Sequence, residues 1–150
     1  MQVSRDERGR IYEDYLRLVS RLWTDSDVSY ESDSYAVEEL TCTPRPVQEP
    51  RPRIWVGGYH DVVLDRTARL RSQGLADCWF PGTQPDREGL ADRRERFEGM
   101  LSDQNVDPST VDQPLFRDGV IAETTEQTIT LAEEHLVSGY EKQYEGRGHE

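Results

Sequence analysis

Apolar residues recur along this chain first at helical spacing and then in short strand-like runs, with turn-forming residues between them. Ile11, Tyr15, Leu18 and Leu22 repeat at intervals of three and four, and Tyr12, Leu16, Val19 and Trp23 widen the stripe. That pattern predicts an amphipathic helix with a broad core-facing side. Residues 25–44 are polar and acidic, with scattered Tyr30, Tyr35, Val37 and Leu40, and predict a loop containing at most a short hairpin. After Pro44, Pro46, Pro50 and Pro52 comes the apolar run Ile54, Trp55 and Val56, ended by Gly57 and Gly58; it predicts a fully buried parallel strand and a sharp turn. A helical pattern follows over residues 62–70, then a strand over 75–80 and a break at Pro81-Gly82. Asp86 is placed to cap a further helix carrying Leu90, Phe97, Met100 and Leu101, and Pro108 and Pro114 punctuate the next connection. Residues 115–122 form a third strand candidate. Thr124 or Thr125 caps a last helix with Ile129, Leu131, Ala132, Leu136 and Tyr140 as its apolar members, before a fraying tail.

Strands alternating with helices place the chain in the α/β class with parallel crossovers. An open nucleotide-binding sheet lacks its usual motifs, since no third glycine completes G-x-G-x-x-G and no G-K-[ST] supplies a phosphate-loop lysine. At 150 residues and 34% hydrophobic composition, one domain with a small core is expected.

The net charge of −12 comes from 30 acids against 18 bases, of which only Lys142 is a lysine. It argues against nucleic acid and anionic membrane surfaces as partners, both of which need a basic footprint. It also suggests adaptation to high salt, where screening relieves the self-repulsion of an acidic surface. Cys42 and Cys78 form no C-x-x-C pair and accompany no histidine cluster, so neither a zinc site nor a disulfide framework is signalled and a reducing cytoplasm is expected. No stretch reaches the roughly 18 apolar residues of a membrane span, and the first ten residues lack a signal-peptide core.

The chemistry-bearing feature is the glycine pair. Gly57 and Gly58, between a strand end and a helix start, permit close backbone approach and leave amides available to a phosphate. Asp61 falls in the first turn of the helix, where a carboxylate interacts favourably with the dipole and repels an anion. His60, His135 and His149 never pair at relay or ligand spacing, and no nucleophile elbow or H-E-x-x-H occurs. No catalytic residue and no metal ligand can be named. Trp55 and Trp79 read as core residues.

The run from Pro44 to Gly58, Pro-x-Pro-Val-Gln followed by Ile-Trp-Val-Gly-Gly, resembles the central signature of the bacterial-luciferase-like oxidoreductases. Arg8 and Gly9 with the helix ending Leu22-Trp23-Thr24, the strand Ala76, Asp77, Trp79, Phe80 and Pro81, and more faintly Val120 to Thr124 are similar to flanking segments of that family. The resemblance implies part of a (β/α)8 TIM barrel, about half of it: a helix over 1–24, an acidic and Pro-rich connection over 25–53, βαβαβα units over 54–145 and a frayed tail over 146–150. It also implies FMN or the deazaflavin coenzyme F(420), with Val56, Gly57, Gly58 and Tyr59 at the cofactor's phosphate end. Gly82, Thr83 and Gln84 then lie at the mouth of a small-molecule substrate pocket, on the face where barrel strands end. The expected function is oxygen insertion or hydride transfer by a flavin or deazaflavin. The alternative is a non-catalytic remnant or a split-barrel module, and a homo-oligomer or a missing barrel half is the expected partner.

Overall fold

The computed structural model describes residues 4–81 and 87–139. The chain divides into two compact units, Met1–Leu115 and Phe116–Glu150.

The first unit begins with helix α1, Arg5–Thr24, entered through a reciprocal cap. The Glu7 N–H donates to Ser4 Oγ at 3.3 Å and the Ser4 N–H donates to Glu7 Oε2 at 3.1 Å, which satisfies backbone donors that a helix start otherwise leaves unpaired. The Ser4 hydroxyl, donating to Glu7 Oε2 at 2.6 Å, and then the Ser4 N–H lower the Glu7 carboxyl from its ordinary value. Strands β1, Val28–Glu31, and β2, Ala36–Leu40, follow as an antiparallel pair with an irregularity between Val28 and Tyr30. The acidic stretch after α1 is therefore a defined hairpin. What orders it is contact with α1: the Tyr30 hydroxyl donates to Asp14 Oδ1 at 3.2 Å, and the Tyr15 and Tyr35 rings lie 4.4 Å apart. The broad apolar stripe of α1 is accordingly shared out. Tyr12 and Leu16 pack toward the second sheet while Tyr15 leans on the hairpin.

The second sheet pairs β3, Trp55–Gly57, with β4, Cys78–Phe80, in parallel; Trp55 aligns with Cys78, Val56 with Trp79 and Gly57 with Phe80. Helix α2, Asp61–Ser72, connects them, so the expected strand, turn and helix unit is present. Its lower end is tied by Asp77, whose Oδ2 accepts from the Ile54 N–H at 2.7 Å and from Arg51 Nη1 at 2.8 Å. Val56, Leu70 and Ala76 form one small core with Tyr12, Leu16 and Val63 against it. A larger core gathers Leu64, Ala68, Cys78, Trp79, Leu90, Phe97, Leu101 and Val111, the last three helical members coming from α3, Arg87–Asp103.

Four expectations are corrected here. The run Ile54 to Val56 is not fully buried: only Val56 is, and Trp55 is 51% exposed and stacked on Phe80 at 5.7 Å. Trp55 is therefore no core residue, whereas Trp79 is. Residues 115–122 form no strand, and Ile121 is 97% exposed; an extended run becomes a strand only through a ladder partner. The described architecture therefore contains two parallel strands rather than three, and no closed barrel. In the second unit, Thr124 caps α4, Thr125–Leu131, by accepting from the Gln127 N–H at 3.2 Å, and π-helical turns continue over Ala132–Val137. None of these helical residues is buried, so the apolar members assigned to that helix do not form a core. The proposed cap Asp86, Tyr140 and the tail lie outside the described residues.

Candidate functional site

The glycine turn between β3 and α2 is held from two sides. Gly58 has φ +149°, and a Cβ there would meet Val63 Cγ2 at 2.9 Å, so glycine at this position is required by local packing whatever the turn binds. The Gly58 carbonyl accepts from the Trp79 indole Nε1–H at 2.8 Å. Gly57 differs, because a Cβ there would approach only the Phe80 carbonyl oxygen, at 3.9 Å. A side chain at 57 is therefore compatible with the surrounding backbone.

Beside the turn lies a cavity of about 410 Å³ lined by Val56, Gly57 and Val63 with Arg8, Gly9, Tyr12 and Arg66. Arg66 Nε is buried without a hydrogen-bond acceptor, although it lies 3.3 Å from Glu13 Oε1 as an ion pair. Glu13 is itself shared, taking Arg69 Nη2 at 3.0 Å and Arg17 Nη2 at 3.7 Å. Arg17 also meets Asp14 at 3.7 Å and Arg69 meets Asp65 at 3.3 Å, so three carboxylates offset these three guanidiniums, and Arg8 adds a cation to the cavity beside Arg66. Gly9 makes room for Arg66, since a Cβ at 9 would sit 2.4 Å from Arg66 Nη2 and displace the guanidinium. Asp61, at the start of α2, is paired with Arg96 at 3.1 Å. Its repulsion of an anion is thereby reduced, though the pair is half-exposed and screened.

These residues fit a phosphate group: a buried Arg66 guanidinium nitrogen lacks a hydrogen-bond acceptor, and the Gly57 backbone lines the same cavity. Of the four cofactor-binding candidates, Val56 and Gly57 line this cavity, and Gly58 shapes the turn behind it. Tyr59 stands apart under the Arg93 guanidinium, 6.0 Å from its ring centroid. Gly82, Thr83 and Gln84 lie outside the described residues. Arg66 and Tyr12 were not singled out from the sequence as site residues. Their place depends on side chains of α1 and α2 meeting beside the turn, for which the signal in the sequence was Gly9, whose missing side chain leaves room for Arg66.

Cys78 is buried in the larger core, and desolvation first, then the Asp77 charge, pushes its thiol up to about 11 from an ordinary value of 9.0. The thiolate is the reactive form, so at pH 8 iodoacetamide is expected to modify Cys42 and to spare Cys78 until the chain is unfolded, as peptide mass analysis would read. Between those two values the folded state binds more protons than the unfolded one, so stability falls as pH rises through that window. Among the described residues, no group of three His, Cys, Asp or Glu side chains could hold a metal ion, and no helix is long and apolar enough to cross a membrane.

A parallel strand pair joined by a glycine turn and a helix, with a cavity lined by two arginines beside the turn, defines an α/β protein. The chain matches the luciferase-like monooxygenase family over residues 1–150 and belongs to that family. It is 32% identical over 68 residues to the FMNH(2)-dependent dimethylsulfone monooxygenase of Pseudomonas putida, an alignment covering 45% of this chain and 19% of that protein. Among solved structures, the monooxygenase RslO1 of Streptomyces bottropensis matches with a TM-score of 0.55 at 19% identity, over 93% of this chain and 45% of that one. The riboflavin lyase RcaE, solved with modified FMN and riboflavin, matches with a TM-score of 0.70 at 18% identity, over 92% of this chain and 34% of that one. The chain thus spans less than half the length of each of these proteins.

Proposed function

We propose that this chain supplies the phosphate-binding part of a flavin-dependent oxidoreductase acting on a small molecule, with FMN rather than the deazaflavin coenzyme F(420) as the bound group. The observation that carries the reading is the buried, acceptor-free Arg66 Nε beside Gly57 in one cavity. FMN is favoured because the Pseudomonas relative is named for FMNH(2) and RcaE was solved with modified FMN. A reduced flavin ring supplies the electrons for oxygen insertion or hydride transfer when bound. This chain's residues hold and orient the other end: Arg66 and Arg8 provide charge, and Gly57 permits close approach.

Titration of FMN, riboflavin and coenzyme F(420) into the chain, read by fluorescence quenching, tests the reading. FMN is expected to bind more tightly than riboflavin, which lacks the phosphate. Gly57→Val is expected to weaken FMN about tenfold, on the order of 1.4 kcal/mol, with little change in melting temperature. Gly58→Val is a poorer test, because its collision with Val63 perturbs the turn itself. FMN affinity unchanged in Gly57→Val would remove the cavity assignment, and preference for F(420) would reverse the choice of cofactor.

A second reading, a non-catalytic remnant or a module that completes its barrel with another chain, is favoured by one feature. β3 and β4 pair only with each other among the described residues, and a closed barrel leaves no such edges. Quenching by none of the three compounds would favour this reading over the first.

A further inference from the structure

We propose that Trp79 is a positioning residue for the glycine turn, acting through its indole N–H and not through contact with a ligand. The inference rests on the reading of that turn as a phosphate site and adds to it the residue that sets the turn's shape. Trp79 is 3% exposed and donates Nε1–H to the Gly58 carbonyl at 2.8 Å. Its ring is held in turn by Phe97 of α3, with centroids 5.9 Å apart at an angle of 55°. An indole fixed in a packed core offers its single donor in one direction only.

The consequence follows from peptide geometry. In a planar trans peptide the carbonyl and the next N–H point in opposite directions, and the Gly58–Tyr59 bond is not among the chain's cis peptides. With the Gly58 oxygen drawn onto the indole, the Tyr59 N–H is directed away from Trp79 and out of the core. Val63 fills the space beside Gly58 that a Cβ would need, its Cγ2 lying 2.9 Å from that position. Trp79 therefore fixes the orientation of the peptide plane at the start of α2, and α3 holds Trp79. The strand Cys78–Phe80 lies 21 residues after the turn it shapes. This links the Ala-Asp-x-Trp-Phe segment to the glycine pair by a single hydrogen bond.

Trp79→Phe keeps a ring against Phe97 and deletes the donor. FMN and riboflavin affinities are measured for the unaltered chain and the variant by fluorescence quenching. The expected result is a loss of about tenfold in FMN affinity with riboflavin unchanged, so that the preference for the phosphorylated flavin falls by the same factor. An unaltered chain that binds FMN no better than riboflavin removes the phosphate turn itself, and this role with it. An unaltered chain that prefers FMN, with a variant that keeps the whole preference or loses both flavins equally, overturns the role of Trp79 alone. A variant that fails to fold is bypassed by hydrogen exchange at the three tryptophan indoles of the unaltered chain. The Trp79 N–H should exchange more slowly than that of half-exposed Trp55, and slower still with FMN but not with riboflavin. Exchange as fast as at Trp55, or unaffected by FMN, overturns the proposal.

Discussion

Replacing Asp77 by alanine is expected to lower the stability of the chain by about 3 kcal/mol, the low end of the range for removing one partner of a buried ion pair. Arg51 is the buried member, with its side chain 8% exposed, and Asp77 is 29% exposed. Arg51 Nη1 donates to Asp77 Oδ2 at 2.8 Å and Nη2 to the Gly74 carbonyl at 2.6 Å, so the guanidinium stays enclosed after the carboxylate is gone. The same substitution strips the Ile54 N–H of its acceptor at the start of β3, a second loss of the kind that exceeds the value of the hydrogen bond itself. For a protein of this size the melting temperature is expected to fall by roughly 6–12 °C. Asp77→Asn keeps an oxygen for Ile54 and is expected to lose distinctly less. Equal melting temperatures for the unaltered chain and Asp77→Ala would show that the lower end of the sheet is held by something other than this pair.

The 150-residue chain by itself is expected to elute in size-exclusion chromatography as a dimer or larger species rather than at its 17.4 kDa mass. Two strands of three residues make a sheet that is marginal alone, and the ladder groups on its outer edges have no third strand among the described residues. Trp55 and Phe80 present a stacked aromatic pair on that sheet, with Trp55 half-exposed. Unpaired edges beside exposed apolar surface favour pairing with another copy. Trp55→Lys, which places a charge on the strand, is expected to shift the elution toward the monomer. A sharp monomer with cooperative unfolding in the unaltered chain would show that the unit is self-sufficient and that its edges are protected by other means.

The order and kind of most elements were legible in the residues because they depend on local patterns. A stripe at helical spacing, a cap such as Thr124, and a glycine pair closing a short apolar run act within a few residues of one another. The family was legible for a related reason, since its segments are contiguous in the chain. What the residues alone determined is therefore an α/β chain with a glycine turn placed between strand and helix.

Tertiary structure decided the rest. Whether residues 115–122 become a strand depends on a ladder partner that no local pattern can supply, and Trp55 is exposed while Trp79, in the neighbouring strand, is buried. The hairpin over Val28–Leu40 exists because Tyr30 and Tyr35 find Asp14 and Tyr15 on α1, contacts spanning 16 and 20 residues of sequence. Arg66 enters the site only because its guanidinium reaches the space left by Gly9 of α1, and Trp79 reaches Gly58 across 21 residues. Each of these is a meeting between side chains distant in sequence. Its energy comes from burial and hydrogen bonds that exist only once the elements have packed, and for that reason the turn could be read from the sequence while the groups that charge and shape it could not.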